Sequence, residues 1–294
     1  MPRFIASSDY HLQFNSPRCR IDEDWLGFQK SILVFIAKEA NKRKVEVHCY
    51  GDVFDTAKVP DIIKTIFLEF AFSINKGIRV LAGNHSLPYH SWKNVSDSSF
   101  GIIDEIVKSN NDKIGYFDEL GMYSHFNEEM KGKETDLVFI HRLVFEKAKD
   151  VPPNVQACSA QDLLDEFPKA KWIFTGDMHR SFHYEKKGRH VINPGCITRQ
   201  AADFKDYQPS VYYVDTDNEV VEQIFLPDTE ELVIDSYLRE EEEKIDRIEA
   251  FVEGVKKNGK ISLDFVGNLE YALNKNKNMN KETISTIREL MEEN

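Results

Sequence analysis

Five short apolar runs in this chain each lead into a residue type that binds divalent cations, and no other feature constrains the fold as tightly. Residues 4–6 lead into Asp9 and His11 in S-D-Y-H, and residues 45–50 into Asp52 in G-D-V-F-D. Residues 79–82 lead into Asn84 in G-N-H, 137–140 into His141, and 172–175 into Asp177 and His179 in G-D-M-H. Short runs rich in β-branched and aromatic residues are strand signals. Open α/β sheets carry their functional groups at the carboxyl ends of strands. If these strands share a sheet, all seven side chains converge at one edge.

The intervening segments support a layered fold. Trp25, Leu26, Phe28, Ile32, Leu33, Phe35 and Ile36 recur near helical spacing, predicting a helix over 22–43 with Asp22 as its cap. Pro60 opens a second predicted helix over 60–75, and Gly77 follows its end. Strands alternating with helices indicate an α/β domain. Between 113 and 140 and between 190 and 226 the pattern becomes shorter and more strand-like (I-G-Y-F, M-Y-S-H-F, D-L-V-F-I), with T-D-N-E as a turn. Antiparallel strands are therefore expected beside the βα units. The composition changes near Pro227, after which the chain is highly charged, beginning R-E-E-E-E-K-I-D-R. The expected division is a domain over 1–227 and a helical segment over 228–294, with helices near 236–257, 262–275 and 280–292. That segment is read equally as a solvated packed appendage or a partner-binding element.

At 294 residues and 41% apolar content the chain can bury a substantial core. Its net charge of −12 excludes passive coating of nucleic acid or an anionic membrane through a broad basic face. A nucleic-acid enzyme stays open, because bound cations add local positive charge that the count omits. Cys19, Cys49, Cys158 and Cys196 are widely spaced without a C-x-x-C pair, as expected of free thiols in a reducing compartment. The first strand begins at once after the N-terminus, and no run approaches a membrane span. A soluble cytoplasmic protein is expected.

The spacing asks for a particular chemistry. Two divalent cations about 3.5–4 Å apart need a bridging carboxylate and further O and N donors. Asp9 and His11 lie two apart and can face one side of an extended chain. Asp52 is the natural bridge, Asn84 adds a neutral amide oxygen, His141 and His179 add imidazoles, and Asp177 adds a further oxygen. Mixed N/O donors suit manganese, iron or zinc better than calcium. Water held by such a pair becomes hydroxide at neutral pH and can attack phosphorus. His85, beside Asn84, is free to protonate the leaving group, and Asp55 is placed to hold the His85 tautomer. Taken singly, Asp52 and Asp55 would cap a helix, Asn84 would sit in a turn and His141 would be a core histidine. Their common order and placement outweigh those separate readings. His48, His90, His125, His183 and His190 fit no motif and are expected to be structural or exposed.

The order D-x-H, G-D-x-x-D, G-N-H, lone H and G-x-x-H resembles the calcineurin-like metallophosphoesterase superfamily. S-D-Y-H-L, P-R-C-R-I-D-E-D, G-D-V-F-D-T-A-K-V-P, A-G-N-H-S-L, T-G-D-M-H and I-N-P-G-C-I-T-R bring it closer to the SbcD-type DNA repair nuclease branch, with its phage and bacterial relatives. The resemblance covers about residues 1–226. It implies a four-layer sandwich of two mixed β-sheets flanked by helices, with two metals at one edge. It further implies Asp9, His11, Asp52 and His179 around one metal, Asp52, Asn84, His141 and Asp177 around the other, and His85 acting on the leaving group.

Three positions depart from the family pattern. Asp177 stands where the family usually has histidine, which should favour harder ions such as manganese or magnesium. Ser86 stands in place of an acidic residue, and Cys196 in place of a serine.

The leading expectation is a two-metal DNA phosphodiesterase, an exo- or endonuclease of repair, recombination or phage DNA metabolism. Arg18, Arg20 and Arg199 are candidate contacts to backbone phosphates. The alternatives are a phosphatase or phosphodiesterase acting on a nucleotide or phosphoprotein, and a metal-poor binding scaffold. The resemblance also implies an SMC-like ATPase partner docked on the C-terminal helices, and a homodimer is compatible with it.

Overall fold

The computed structural model describes residues 3–109, 111–117, 135–228, 232–235, 270–273 and 275. The chain divides into two compact units, Met1–Ile234 and Asp235–Asn294. The three expected C-terminal helices lie outside the described residues, apart from helical residues 270–273 and 275. The expected M-Y-S-H-F strand also lies outside them.

In the first unit, strand β1 is Arg3–Ser7, β2 Glu46–Cys49, β3 Ile78–Val80, β4 Ile114–Gly115, β5 Leu137–His141 and β6 Val144–Phe145. The later strands are β7 Cys158–Ser159, β8 Trp172–Gly176, β9 Phe182–Lys186, β10 Arg189–Asn193, β11 Ser210–Asp215 and β12 Val220–Phe225. Helix α1 is Trp25–Arg43, α2 Asp61–Ser73, α3 Gly101–Lys108 and α4 Ala160–Glu166. One sheet has the order β12-β11-β1-β2-β3-β4, a second β5-β8-β10-β9, and β6-β7 form a small pair. Strands β1 to β4 pair in parallel and β11 and β12 run antiparallel, so the first sheet is mixed. The second is mixed too, because β9 alone runs antiparallel in it.

Side-chain alternation builds the layers. Along β1, Phe4 and Ala6 face the space between the sheets, where they join Tyr50, Phe139, Trp172, Phe174, Ile192 and Tyr212. Ile5 faces the other way, onto Ile32, Ile36, Phe67 and Phe70 of α1 and α2. Along β5, Phe139 points between the sheets while Val138 and Ile140 pack on Leu163 and Leu164 of α4. Successive strand side chains point to opposite faces, so a strand covered on both sides must be apolar throughout. That is the composition of residues 4–6 and 137–140, whereas β2 carries Glu46 and His48 and β3 carries Arg79. The result is helix, sheet, sheet and helix, the expected four-layer architecture. Each large side chain buried in it contributes roughly 1.5–3 kcal/mol relative to exposure.

Two expectations change. Asp24, not Asp22, caps α1, accepting the Gly27 N–H at 2.9 Å. The Asp22 carboxylate is occupied by the Arg20 guanidinium at 2.6 and 2.8 Å. Nor do the five motif strands share one sheet. β1, β2 and β3 belong to the first, β5 and β8 to the second. Convergence survives because the carboxyl ends of both sheets abut: His141 at the end of β5 donates its Nδ1–H to the Tyr50 carbonyl beyond β2, at 2.6 Å.

Candidate metal centre

The loops that carry the candidate donors are strained and braced. Asp9, His11, Asp52 and Asp177 have φ of 50°, 42°, 47° and 76°, the left-handed region that non-glycine residues avoid. Each such residue costs on the order of 1–3 kcal/mol and persists only where its surroundings impose it. Here the loop after β1 is zipped to the loop after β2. The N–H groups of Asp9, His11 and Leu12 donate to the carbonyls of Gly51, Asp52 and Val53 at 3.1, 2.9 and 3.0 Å. The glycines before Asp52 and Asn84 are steric requirements. A Cβ on Gly51 would overlap the His141 ring, and one on Gly83 the Asp52 carboxylate.

The seven expected donors do come together. His11 Nε2 and His179 Nε2 stand 3.1 Å apart, with Asp9 completing this group. Asp9, Asp52 and His141 form a second group, so Asp9 belongs to both. Asp52 Oδ2 lies between them, 3.9 Å from His11 Nε2 and 3.2 Å from His141 Nε2. Asn84 Oδ1 is 2.9 Å from His141 Nε2. Asp177 sits at the margin, its side chain 29% exposed and Oδ1 3.9 Å from His141 Nε2. Its backbone N–H donates to both oxygens of Asp9, at 3.1 and 3.2 Å.

The electrostatics match a cation site. Burial opposes a charge on His141, but the carboxylates of Asp52, Asp9 and Asp177 outweigh it and carry its pKa up to about 10. Burial likewise opposes charge on Asp52, yet the His141, His11 and His85 rings hold its carboxyl below the usual range. Burial is again the largest influence on His11, and Asp55, Asp52 and Asp9 overcome it to raise its pKa. On His179 burial prevails and the pKa falls, favouring the neutral ring that ligates. Asp52 Oδ2 is buried yet accepts no hydrogen bond among the described residues. With the His141 ring at 3.2 Å as its near neighbour, that oxygen is incompletely satisfied, which is costly for a buried carboxylate, and a bound cation removes that cost. The hard oxygens and borderline imidazoles therefore fit a pair of divalent metals.

The neighbours of the site are sorted differently than expected. His85 donates its Nδ1–H to the backbone carbonyl of Asp55 at 2.7 Å. The Asp55 carboxylate instead stands 3.3 Å from His11 Nδ1, where it orients that ring. His85 also donates its backbone N–H to Asp52 Oδ1 at 2.9 Å, and its exposed ring meets that of His11 edge-on at 4.9 Å.

Arg20 and Arg199 are not at a substrate surface. The buried Arg20 guanidinium binds Asp22 and, at 2.8 Å, Asp228. Arg199 is also buried and donates through Nη1 to the Asp228 carbonyl at 2.6 Å. Both serve the fold, because a buried guanidinium is retained only with carboxylate and carbonyl partners. Arg18 is exposed.

His48 and His190 are structural, stacked 4.0 Å from Phe4 and from Trp172, and His183 is hydrogen-bonded to His190. His125 and the side chain of His90 lie outside the described residues. All four cysteines are free, and burial pushes the Cys196 thiol up, so its part is its backbone N–H, which holds the His179 carbonyl at 2.9 Å. Asn193 and Gln200, which support the ligand loops, escaped the sequence reading. Asn193 lay within the I-N-P-G motif, but nothing marked Gln200.

No known protein family matches the chain, and no curated protein matches it. Among solved structures it is similar to a novel archaeal phosphodiesterase, at 15% identity and a TM-score of 0.42, over 76% of this chain and 99% of that one. It is also similar to a conserved uncharacterized protein of Streptococcus pneumoniae TIGR4, a predicted phosphoesterase, at 15% identity and a TM-score of 0.35, over 80% and 92% of the two chains. A third is wild-type Vps29 from Entamoeba histolytica complexed with zinc, at 12% identity and a TM-score of 0.32, over 76% and 98%. No helix among the described residues is long and apolar enough to cross a membrane.

Proposed function

We propose that this chain is a two-metal phosphodiesterase of the calcineurin-like type, with DNA as its substrate. The carrying observation is that the donor groups Asp9–His11–His179 and Asp9–Asp52–His141 share a carboxylate at the meeting edge of two sheets. Two divalent cations there supply Lewis-acid stabilisation of the phosphoryl oxygens and an activated water. His11 and His179 are read as holding one cation, His141, Asn84 and Asp177 the other, and Asp9 and Asp52 as reaching both. Manganese is the expected metal, with iron, zinc and magnesium as competitors.

His85 is the proposed general acid. A carbonyl only accepts, so the Asp55 carbonyl holds a proton on Nδ1, and the doubly protonated ring would carry on Nε2 the proton it delivers to the departing oxygen. The N–H bond to Asp52 Oδ1 ties that acid to the carboxylate between the donor groups, so acid and cations keep one spacing.

One observation favours the alternative of a smaller substrate, a nucleotide or phosphoprotein ester. With Arg20 and Arg199 committed to Asp22 and Asp228, two of three proposed DNA contacts are spent. A manganese-dependent assay on single- and double-stranded DNA beside a small chromogenic phosphodiester separates the readings. DNA hydrolysis exceeding that of the small diester supports the nuclease. The reverse supports the alternative, and no hydrolysis of either, with no metal retained, leaves the scaffold reading. The C-terminal unit is the proposed dock for an ATPase partner, which co-purification with the ATPase encoded nearest this gene would test.

A further inference from the structure

The segment 193–200 touches both halves of the His11–His179 pair. Asn193, at the end of β10, donates through Nδ2 to the carbonyls of Met178 and Arg180 at 2.5 and 2.9 Å, on either side of His179. Its Oδ1 accepts from Thr175 Oγ1 at 3.1 Å, and Cys196 N–H holds the His179 carbonyl itself. At the far end, Gln200 Nε2 reaches the carbonyls of Tyr10 and His11 at 3.4 and 3.3 Å and Thr198 Oγ1 at 2.8 Å. Gln200 is itself braced, because its Oε1 accepts from Gln13 Nε2 at 2.6 Å. Gln13 in turn exchanges two hydrogen bonds with the buried Gln29 of α1, at 3.0 and 2.9 Å. Arg199, the preceding residue, is fixed by its N–H to Asp228 Oδ2 at 2.8 Å. The Gln200 end of the segment is therefore anchored independently of the site.

We propose that this segment is a spacer that sets the separation of the His11 and His179 nitrogens, with Gln200 the positioning residue on the His11 side. Residues 9 to 11 are the more strained end of the pair, since Asp9 and His11 itself both hold left-handed backbone, against Asp177 near His179. The carbonyls of Tyr10 and His11 turn toward Gln200, whose two amide hydrogens they share with Thr198 Oγ1. Without that donor the loop can relax toward ordinary φ, and His11 would leave its place opposite His179. The Asn193 side needs no such help, because β8 and β10 pair directly beside it. Groups behind the ligands commonly change metal affinity by about 10- to 100-fold.

This inference rests on the two-metal reading, and its test keeps the two apart. Metal-stripped full-length chain is titrated with manganese by calorimetry, comparing wild type, Gln200→Leu and Gln13→Leu. Two equivalents are expected in the wild type. Gln200→Leu should weaken one of them by about 10- to 100-fold while the other is retained, and Gln13→Leu, which removes only the brace, should fall at the low end of that range. A melting curve in chelator shows that each variant is folded. If Gln200→Leu is not, Gln13→Leu decides alone. Two unchanged equivalents would overturn the spacer, as would parallel weakening of both, the signature of general loosening. A wild type that takes up no manganese would instead overturn the metal reading before any variant is compared.

Discussion

His11 Nε2 and His179 Nε2 face one another at 3.1 Å across 168 positions of sequence. Two imidazole nitrogens at that distance can share one proton or jointly hold one cation to the side of the line joining them, and the carboxylates of Asp9 and Asp52 lie alongside. Burial lowers the pKa of His179 while, against burial, Asp55, Asp52 and Asp9 raise that of His11, so a proton shared by the pair would rest on His11. A divalent cation meets the same geometric demand and also neutralises the carboxylates.

His85→Ala is expected to lower kcat on a small phosphodiester by roughly 100- to 10,000-fold, the range for a positioned general acid. Metal content should be unchanged, because the ring's own partner is the Asp55 carbonyl. Elemental analysis beside the rate measures both. Full activity in this variant would remove His85 from the chemistry.

Asp177→His is expected to stay active with its metal preference moved toward softer ions such as zinc, since an imidazole replaces a hard carboxylate. The half-open position of Asp177 leaves room for the larger ring. Rates with manganese, magnesium and zinc give the order of preference. An order identical to wild type would show that Asp177 holds no metal.

Asp228→Ala should destabilise the fold by about 3–5 kcal/mol, because it leaves two buried guanidinium groups, Arg20 and Arg199, without their shared carboxylate. Urea denaturation reads this directly. A loss below about 1 kcal/mol, the level of an exposed pair, would mean that the network is solvated in solution.

His48 supplies a pH signature. Burial lowers its pKa below the ordinary value despite Glu46, so the folded state binds this proton less readily than the unfolded chain. Its contribution to stability is therefore complete above a pH of about 6.5 and declines as pH falls below that value, at no more than about 1.4 kcal/mol per pH unit. His48→Phe, which keeps the stack on Phe4, should lose less stability between pH 7.5 and 5.5 than wild type does. Equal losses would place the titration elsewhere.

Much of this protein was written locally. The apolar runs before Asp9, Asp52, Asn84, His141 and Asp177 became strands because residues apolar on both faces can only be buried on both faces. Pro60 starts α2 and a left-handed Gly77 follows its end, as their backbone preferences dictate. The candidate donors stood out for the same reason. Each lies at the end of a strand or within a few residues of it, so the strands carry them toward the edge where the sheets meet.

Partnership was not legible. Whether the Asp55 carboxylate serves His85 or His11 depends on a rotamer and on which carbonyl lies nearer. Arg20 and Arg199 look in sequence like any loop arginines, and only burial against Asp228, far along the chain, turns them from substrate contacts into structural ones. Nor does the sequence say that the donors come from two sheets, since parallel runs carry no mark of which neighbour they pair with. Residue type and periodicity thus determined the elements and the donor set, which are properties of short segments. The tertiary structure decided which donor faces which, because that depends on contacts between residues far apart in sequence.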